Sequence, residues 1–453
     1  MVQYAHSLGD VKKALGPGPL QLDDLQTYFE ETTDARDPHI GRRFAISECL
    51  ATSDNVKVLL FGHAGCGKST ELMKLQEEVS DHYAFVSFSL IREAQLSQIS
   101  TEALLVLIVE AVVRASKDVL GFELDESIVK AVYDWFTEAF EIKEQDLQYT
   151  LGAGTGVSTK NTLWGKLVGL SAYLKADIKT GSRTIHKAIT KENKRLSELA
   201  YHCNLVIKEA RIGAAQKGRE LVLIIEDLDK VNILPADEIF ISNPAPLADL
   251  ECKAVFTAPI WLLCNPRSVV LENSFRKIVL PMIHVKERWG GPSEGGRATL
   301  RSILRRRLDV DRLIDGAAEG EALTLAIEKT GGVLRHLFDI LITAATTAEY
   351  AVKRKHRAKP QITRDDVRYG LDQLKSELVR RLGVLGLPPE YEKEGITVQA
   401  MTERLRDLAT NPRKMDSDLI NLLLLQAHAV IEYNGEGWHA AHPLIAEHVL
   451  NPS

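Results

Sequence analysis

Cysteine is scarce in this chain, and its five copies (Cys49, Cys66, Cys203, Cys252 and Cys264) form no C-x-x-C pair. An odd, scattered set gives neither a disulfide framework nor a zinc ribbon and fits a reducing compartment. Long apolar runs are also missing. The most apolar stretch, Leu104 to Val113, is broken by Glu110 and is too short to cross a bilayer. The N-terminal MVQYAHSLGDVKK lacks the continuous apolar core of a signal peptide, so a cytosolic protein without a membrane span is expected. Thirteen histidines show neither H-E-x-x-H nor finger spacing, and His439 and His442 have no cysteines near them, which argues against zinc. There is no excess of positive charge. At a net −6 the chain as a whole is not a polyanion binder, and nucleic acid would need a local basic patch.

What remains is ordinary globular composition, 45% apolar and 26% charged, over 453 residues, enough for two to four domains without an internal repeat. Residues 1–45, broken by the turn-forming GPGP at Gly16 to Pro19, read as an extended lead-in. From Val56 short apolar strands alternate with helical spacing. Val56–Phe61 reads as a strand, Thr70–Ser80 as a helix, Tyr83–Ser89 as a strand and Ser100–Leu120 as a helix. That order predicts a parallel sheet covered on both faces. Residues 121–217 interrupt it with a Gly-, Thr- and Lys-rich insertion, ending in a long polar helix over Ile185–Gln216. Leu221–Glu226, Ala254–Cys264 and Lys277–Val285 resume the sheet, which divides the α/β core into residues 46–120 and 218–290. Helices follow over 291–382, including an arginine-rich stretch 297–312, two helices split by Gly331-Gly332, and the basic KRKHRAKP at Lys353 to Pro360. The last segment, 383–453, reads helix, helix, hairpin, short helix, with Asn434 to Gly437 as the hairpin turn.

Chemistry concentrates in two places. The stretch GHAGCGKST runs through Gly62, His63, Ala64, Gly65, Cys66, Gly67, Lys68, Ser69 and Thr70, between a strand and a helix. Glycines let successive N–H groups point at a phosphate chain, and the following helix presents its positive end. Lys68 would reach the β- and γ-phosphates and Ser69 would give an oxygen to Mg²⁺. The second place is LVLIIEDLDK, Leu221 to Lys230, where a buried strand ends in Glu226 and Asp227, with Asp229 further on. Carboxylates at that sheet edge can hold a metal's water shell and orient an attacking water. The guanine-reading N-K-x-D motif is absent, since Asn193-Lys194-Arg195-Leu196 lacks its final Asp, so ATP is the expected nucleotide.

These two motifs together resemble the P-loop ATPases of the AAA+ and STAND classes, including bacterial KAP-like and origin-recognition-like members, over roughly residues 40–375. The resemblance implies an ASCE/AAA+-type α/β core, an α-helical lid and a C-terminal winged-helix-like domain. It assigns the metal role to Glu226 and the water-polarising role to Asp227. The acids stand in reversed order, which implies slow turnover. A polar residue touching the γ-phosphate would be Asn265, or Thr257 if the fourth strand ends earlier, although Asn265 can equally cap the turn before Pro266. Arg276 resembles the arginine that reaches a neighbour's nucleotide, and Arg335, after Gly331-Gly332, the one that a lid helix lays over bound phosphates.

Asp416–Ala427 would be the second helix of the winged unit. It carries no cation, so it lacks the means for groove reading and suits docking on the ATPase or on a partner. The expected protein is thus an ATP- and Mg²⁺-dependent switch that assembles as a homo-oligomer and signals to a protein partner. The resemblance implies a setting in stress or antiphage defence. A DNA-loading or DNA-remodelling ATPase is the alternative, and a small-molecule kinase a third reading for which a separate lid and C-terminal module are unnecessary.

Overall fold

The computed structural model describes residues 2–16, 18–37, 39–90, 99–118, 120–139, 165–170, 172–173, 194–288, 290–316, 320–384, 396–433 and 438–451. The glycine-rich part of the insertion and the hairpin turn Asn434 to Gly437 lie outside them. At the centre are β1 (Lys57–Gly62), β2 (Tyr83–Ser89), β3 (Glu220–Glu226), β4 (Lys253–Pro259) and β5 (Arg276–Val279), in the spatial order β2-β3-β4-β1-β5. Every pairing is parallel, so the C-terminal ends of β1, β3 and β4 open on one edge.

Alternation along the strands separates the two faces. Val58, Leu60, Val222 and Ile224 pack with Ile46 and Leu50 of α1 (Arg42–Thr52) and with Leu72 and Leu75 of α2 (Lys68–Glu78). Leu59, Phe61, Leu223 and Ile225 face a second core containing α3 (Thr101–Asp118) and α5 (Lys194–Gln216), with α4 (Glu126–Ala139) against α5. Part of the expected insertion 121–217 is therefore sheet cover: Leu199, Cys203, Val206 and Ile207 of α5 are all buried there.

Two strands are shorter than their apolar runs suggest. β4 stops at Pro259, where Ile260–Cys264 turns into a 3-10 helix, and β5 stops at Val279, two residues before Pro281. Apolar runs mark burial, and a proline removes the ladder donor that would carry a strand on. The lead-in is built of short helices, among them Leu22–Tyr28 and Thr33–Arg36, and its Ala5 exchanges backbone hydrogen bonds with Arg307 and Asp309.

The helical segment expected as a lid, called the lid below, contains α6 (Glu294–Arg305), α7 (Glu321–Lys329), α8 (Leu334–Lys353) and α9 (Arg364–Val384). The arginine-rich stretch is thus divided, because α6 ends at Arg305 and the chain turns before Val310. The C-terminal unit contains α10 (Val398–Thr410), α11 (Leu419–Gln426), the antiparallel pair β6 (Val430–Glu432) and β7 (His439–Ala441), and α12 (Pro443–Leu450), in the order expected. Its α11 packs on the Ile260–Cys264 turn of the core, and Ile431 and Tyr433 share a core with β1 and α2.

Gly331 and Gly332 stand where lid, core and C-terminal unit converge, at φ 63° and 87°. A Cβ on Gly331 would lie 2.4 Å from Ile431 Cδ1, and one on Gly332 only 1.9 Å from the carbonyl oxygen of Ile283. The left-handed turn and the missing side chains are both required here. Gly332→Ala should therefore destabilise the fold by about 1–3 kcal/mol, lowering the melting temperature and loosening the lid to limited proteolysis. An unchanged melting temperature would contradict this packing.

Candidate nucleotide site

The loop between β1 and α2 is shaped by Gly65 and Gly67, at φ 84° and 110°. Its floor is held by Arg36, a buried side chain from the lead-in. The guanidinium donates to the carbonyl of Cys66 (2.6 Å), to Thr32 Oγ1 (2.9 Å) and to the carbonyl of Pro281. Sequence reading missed Arg36 because it lies far from the loop in a segment without a motif.

Lys68 begins α2 with its ammonium buried. It donates to the carbonyls of Gly62 (2.7 Å) and His63 (3.0 Å) and pairs with Asp229 Oδ2 at 2.9 Å. Burial alone would depress its pKa, but the Asp229 carboxylate more than offsets that and holds the lysine above its ordinary value. Removing one member of such a buried pair costs about 3–5 kcal/mol through the charge left behind.

Glu226 ends β3 beside the Ser69 hydroxyl, which hydrogen-bonds to it. Burial raises its pKa, the Ser69 bond opposes the rise, and Asp227 and Asp229 reinforce it. Ser69 and Glu226, expected as metal ligands, are thus side by side. Asp227 takes a left-handed backbone at φ 71°, and its carboxylate accepts from Ser89 Oγ and Lys230 Nζ. The following 3-10 turn, Leu228–Lys230, carries Asp229 back to Lys68. Asp229 is the acid in contact with the loop lysine, and the E-D-L-D spacing was the only hint.

The other expected positions divide. Arg335, at the start of α8, lies over the loop: its N–H donates to the carbonyl of Gly65 (3.3 Å), and a Cβ on Gly65 would fall 2.5 Å from the Arg335 Cβ. Asn265 caps its own turn, accepting from the Arg267 N–H (2.9 Å) and donating to Asp237 Oδ1 (3.2 Å). Thr257 is buried within β4 opposite Leu60, and its hydroxyl finds no hydrogen-bond partner among the described residues. Arg276 is exposed where β5 begins, paired with Val58 at the end of the sheet away from the loop. Within one chain it does not meet the loop.

The C-terminal unit also touches the loop. His63 is buried, and its Nε2 accepts the backbone N–H of Glu432 at 3.0 Å. Its ring stands edge-on to His428 at 5.5 Å, His428 lies 5.9 Å from His336 of α8, and His336 lies 5.2 Å from His442. His336 Nδ1 and His442 Nε2 are 3.1 Å apart, so one of them carries the proton between them. Loop, lid and C-terminal unit thus meet through histidines from four separate segments, which no local spacing could reveal. No cluster of three or more His, Cys, Asp or Glu side chains placed to hold a metal ion occurs among the described residues.

Burial keeps these rings neutral. His63 and His336 are held well below the ordinary histidine value, with neighbouring histidines adding to the effect; His428 falls to about 4, with Arg381 adding, and His442 to about 3. A depressed folded-state pKa means that below about 6.5 the unfolded chain takes up protons that the folded chain refuses. Stability is therefore full above that value and declines as pH falls towards 4, by up to about 1.4 kcal/mol per pH unit for each histidine. Melting temperatures measured from pH 7 to 4 should fall, and His336→Gln should make the slope shallower. Equal slopes would contradict the junction.

No family model and no curated protein matches the sequence. Among solved structures the chain is similar to the Walker-type ATPase PABY2304 of Pyrococcus abyssi, at 12% identity and a TM-score of 0.42, over 95% of this chain and 100% of that one. It is also similar to the Aeropyrum pernix ORC1 protein in complex with DNA, at 14% identity and a TM-score of 0.36, over 96% of this chain and 95% of that one. No helix among the described residues is long and apolar enough to cross a membrane. A parallel sheet ordered β2-β3-β4-β1-β5, with a G-x-x-x-x-G-K-S loop after β1 and carboxylates ending β3, gives this chain the α/β core fold of a P-loop nucleotide-binding protein.

Proposed function

We propose that the chain binds ATP with Mg²⁺, hydrolyses it slowly, and uses the bound nucleotide as a switch on its C-terminal unit. The observation that carries this reading is the buried Lys68 ammonium between two loop carbonyls and Asp229, with Ser69 and Glu226 adjacent. Outside a phosphate site such a charge has no evident purpose, because burying it is costly. A triphosphate in the loop would compete with Asp229 for Lys68 and meet the start of α2. Magnesium, when bound, would supply the charge that stabilises the transferring phosphoryl group. Ser69 and Glu226 would hold it, which also relieves the raised proton affinity of Glu226. Asp227 is proposed to orient water, Arg335 to contact phosphate from the lid, and Arg276 to serve a neighbouring copy in a homo-oligomer.

The switch reading is favoured over duplex loading by where α11 lies. Arg297 pairs with Glu328, Arg305 with Asp311 and Arg306 with Glu30, while Arg301 and Arg307 donate to Thr324 and the carbonyl of Ile303. In the basic segment Arg357 is engaged with Asp366, whereas Lys355 and Lys359 are exposed, so the preference rests on α11. The cation-free α11 packs on the core instead of facing outward, and its Leu422 to Leu425 are buried. A protein effector and a setting in stress or antiphage defence remain implications of the sequence resemblance. Lys68→Ala should abolish ATP binding by calorimetry, a loss of at least a hundredfold. Unchanged affinity would contradict the site.

A further inference from the structure

A cavity of about 800 Å³ opens beside the loop, between the core, the end of α9 and the end of α11. Its core wall includes Gly62 and Ala64, from the half of the loop that precedes the glycine turn at Gly65, and Asp229 from the 3-10 turn after β3. Arg380 and Arg381 come from the last turn of α9, and Gln426 and His428 from the C-terminal unit. Arg380 is exposed, and Arg381 is half-exposed and paired with Glu377 one turn earlier on the same helix. His428 is held at a left-handed φ of 58°, a conformation that costs energy in a non-glycine residue. Gln426 Oε1 and His428 Nδ1 are buried without hydrogen-bond partners among the described residues. Two guanidiniums lining one cavity with a phosphate loop are the features of an anion site, and of the unbonded atoms only the His428 ring nitrogen could donate to the anion.

We infer that Arg380 and Arg381 contact the terminal phosphate of ATP, so that this cavity distinguishes ATP from ADP. The inference rests on the nucleotide reading above and adds residues that no motif marks. In a P-loop the lysine and the residues just after the first glycine flank the outermost phosphate, which is where this cavity meets Gly62 and Ala64. Glu377 holds Arg381 in a pair on the surface of α9, where exchange of partner is inexpensive. The Arg381 guanidinium would leave Glu377 for phosphate and would draw in the end of α9, close to the C-terminal unit.

The test is calorimetric titration of the full chain with MgATP and, separately, MgADP. Replacing both arginines (R380Q with R381Q) should weaken ATP about ten- to a hundredfold and leave ADP within about twofold. Glu377→Gln, which frees Arg381 without touching the cavity, should raise the ATP-to-ADP affinity ratio. Equal loss for both nucleotides, or no change for either, would overturn the inference. So would a lowered or unchanged ratio in Glu377→Gln. A wild-type chain that binds neither nucleotide would remove the phosphate site itself and this inference with it, whereas ADP binding by the arginine variants separates the two failures.

Discussion

One positive charge, buried at the start of a helix, sets the terms for the rest of the molecule. The Lys68 ammonium has given up water and is compensated by the carbonyls of Gly62 and His63 and by Asp229. Each partner comes from a different device. The carbonyls turn inward because Gly65 and Gly67 admit left-handed backbone, and Asp229 returns through the 3-10 turn that follows Asp227. The sheet order places β1 beside β4 and β4 beside β3, so these devices share one edge. A charge balanced this closely responds to any competing anion, because stability and ligand affinity draw on the same Coulomb term.

The loop is also where the chain's parts converge. Arg36 enters from the lead-in, Arg335 from the lid and the N–H of Glu432 from the C-terminal hairpin. Packed junctions of this kind have discrete arrangements, so under the proposed function a change at the loop would be passed on as a change in docking. The neutral histidines give the junction hydrogen-bonding capacity without adding charge beside Lys68. The Gly331-Gly332 turn brings α8 and the hairpin close enough for that contact.

Much of this was legible in the sequence. The strand-loop-helix context of GHAGCGKST, the carboxylates after LVLII and the Gly-Gly break before Arg335 are local patterns, and local patterns survive in a linear reading. Boundaries were less legible. Ala254–Cys264 reads as one apolar run, yet only its part up to Pro259 is strand, because burial in a 3-10 turn demands the same residues. Asn265 follows the same logic, since six residues beyond the strand it bonds its own turn. What could not be read were the long-range meetings: Arg36 with Cys66, Glu432 with His63, and Arg380 with the cavity beside Ala64. Each joins residues far apart in the chain, and no spacing rule covers them.

Hydrogen exchange at the amides of Gly62 to Ser69, followed with and without MgATP, addresses the phosphate cradle at the level of individual donors. Amides that point at phosphate should exchange at least tenfold more slowly when nucleotide is present, because opening the loop would then require losing the ligand. Rates that stay the same at saturating MgATP would contradict the account.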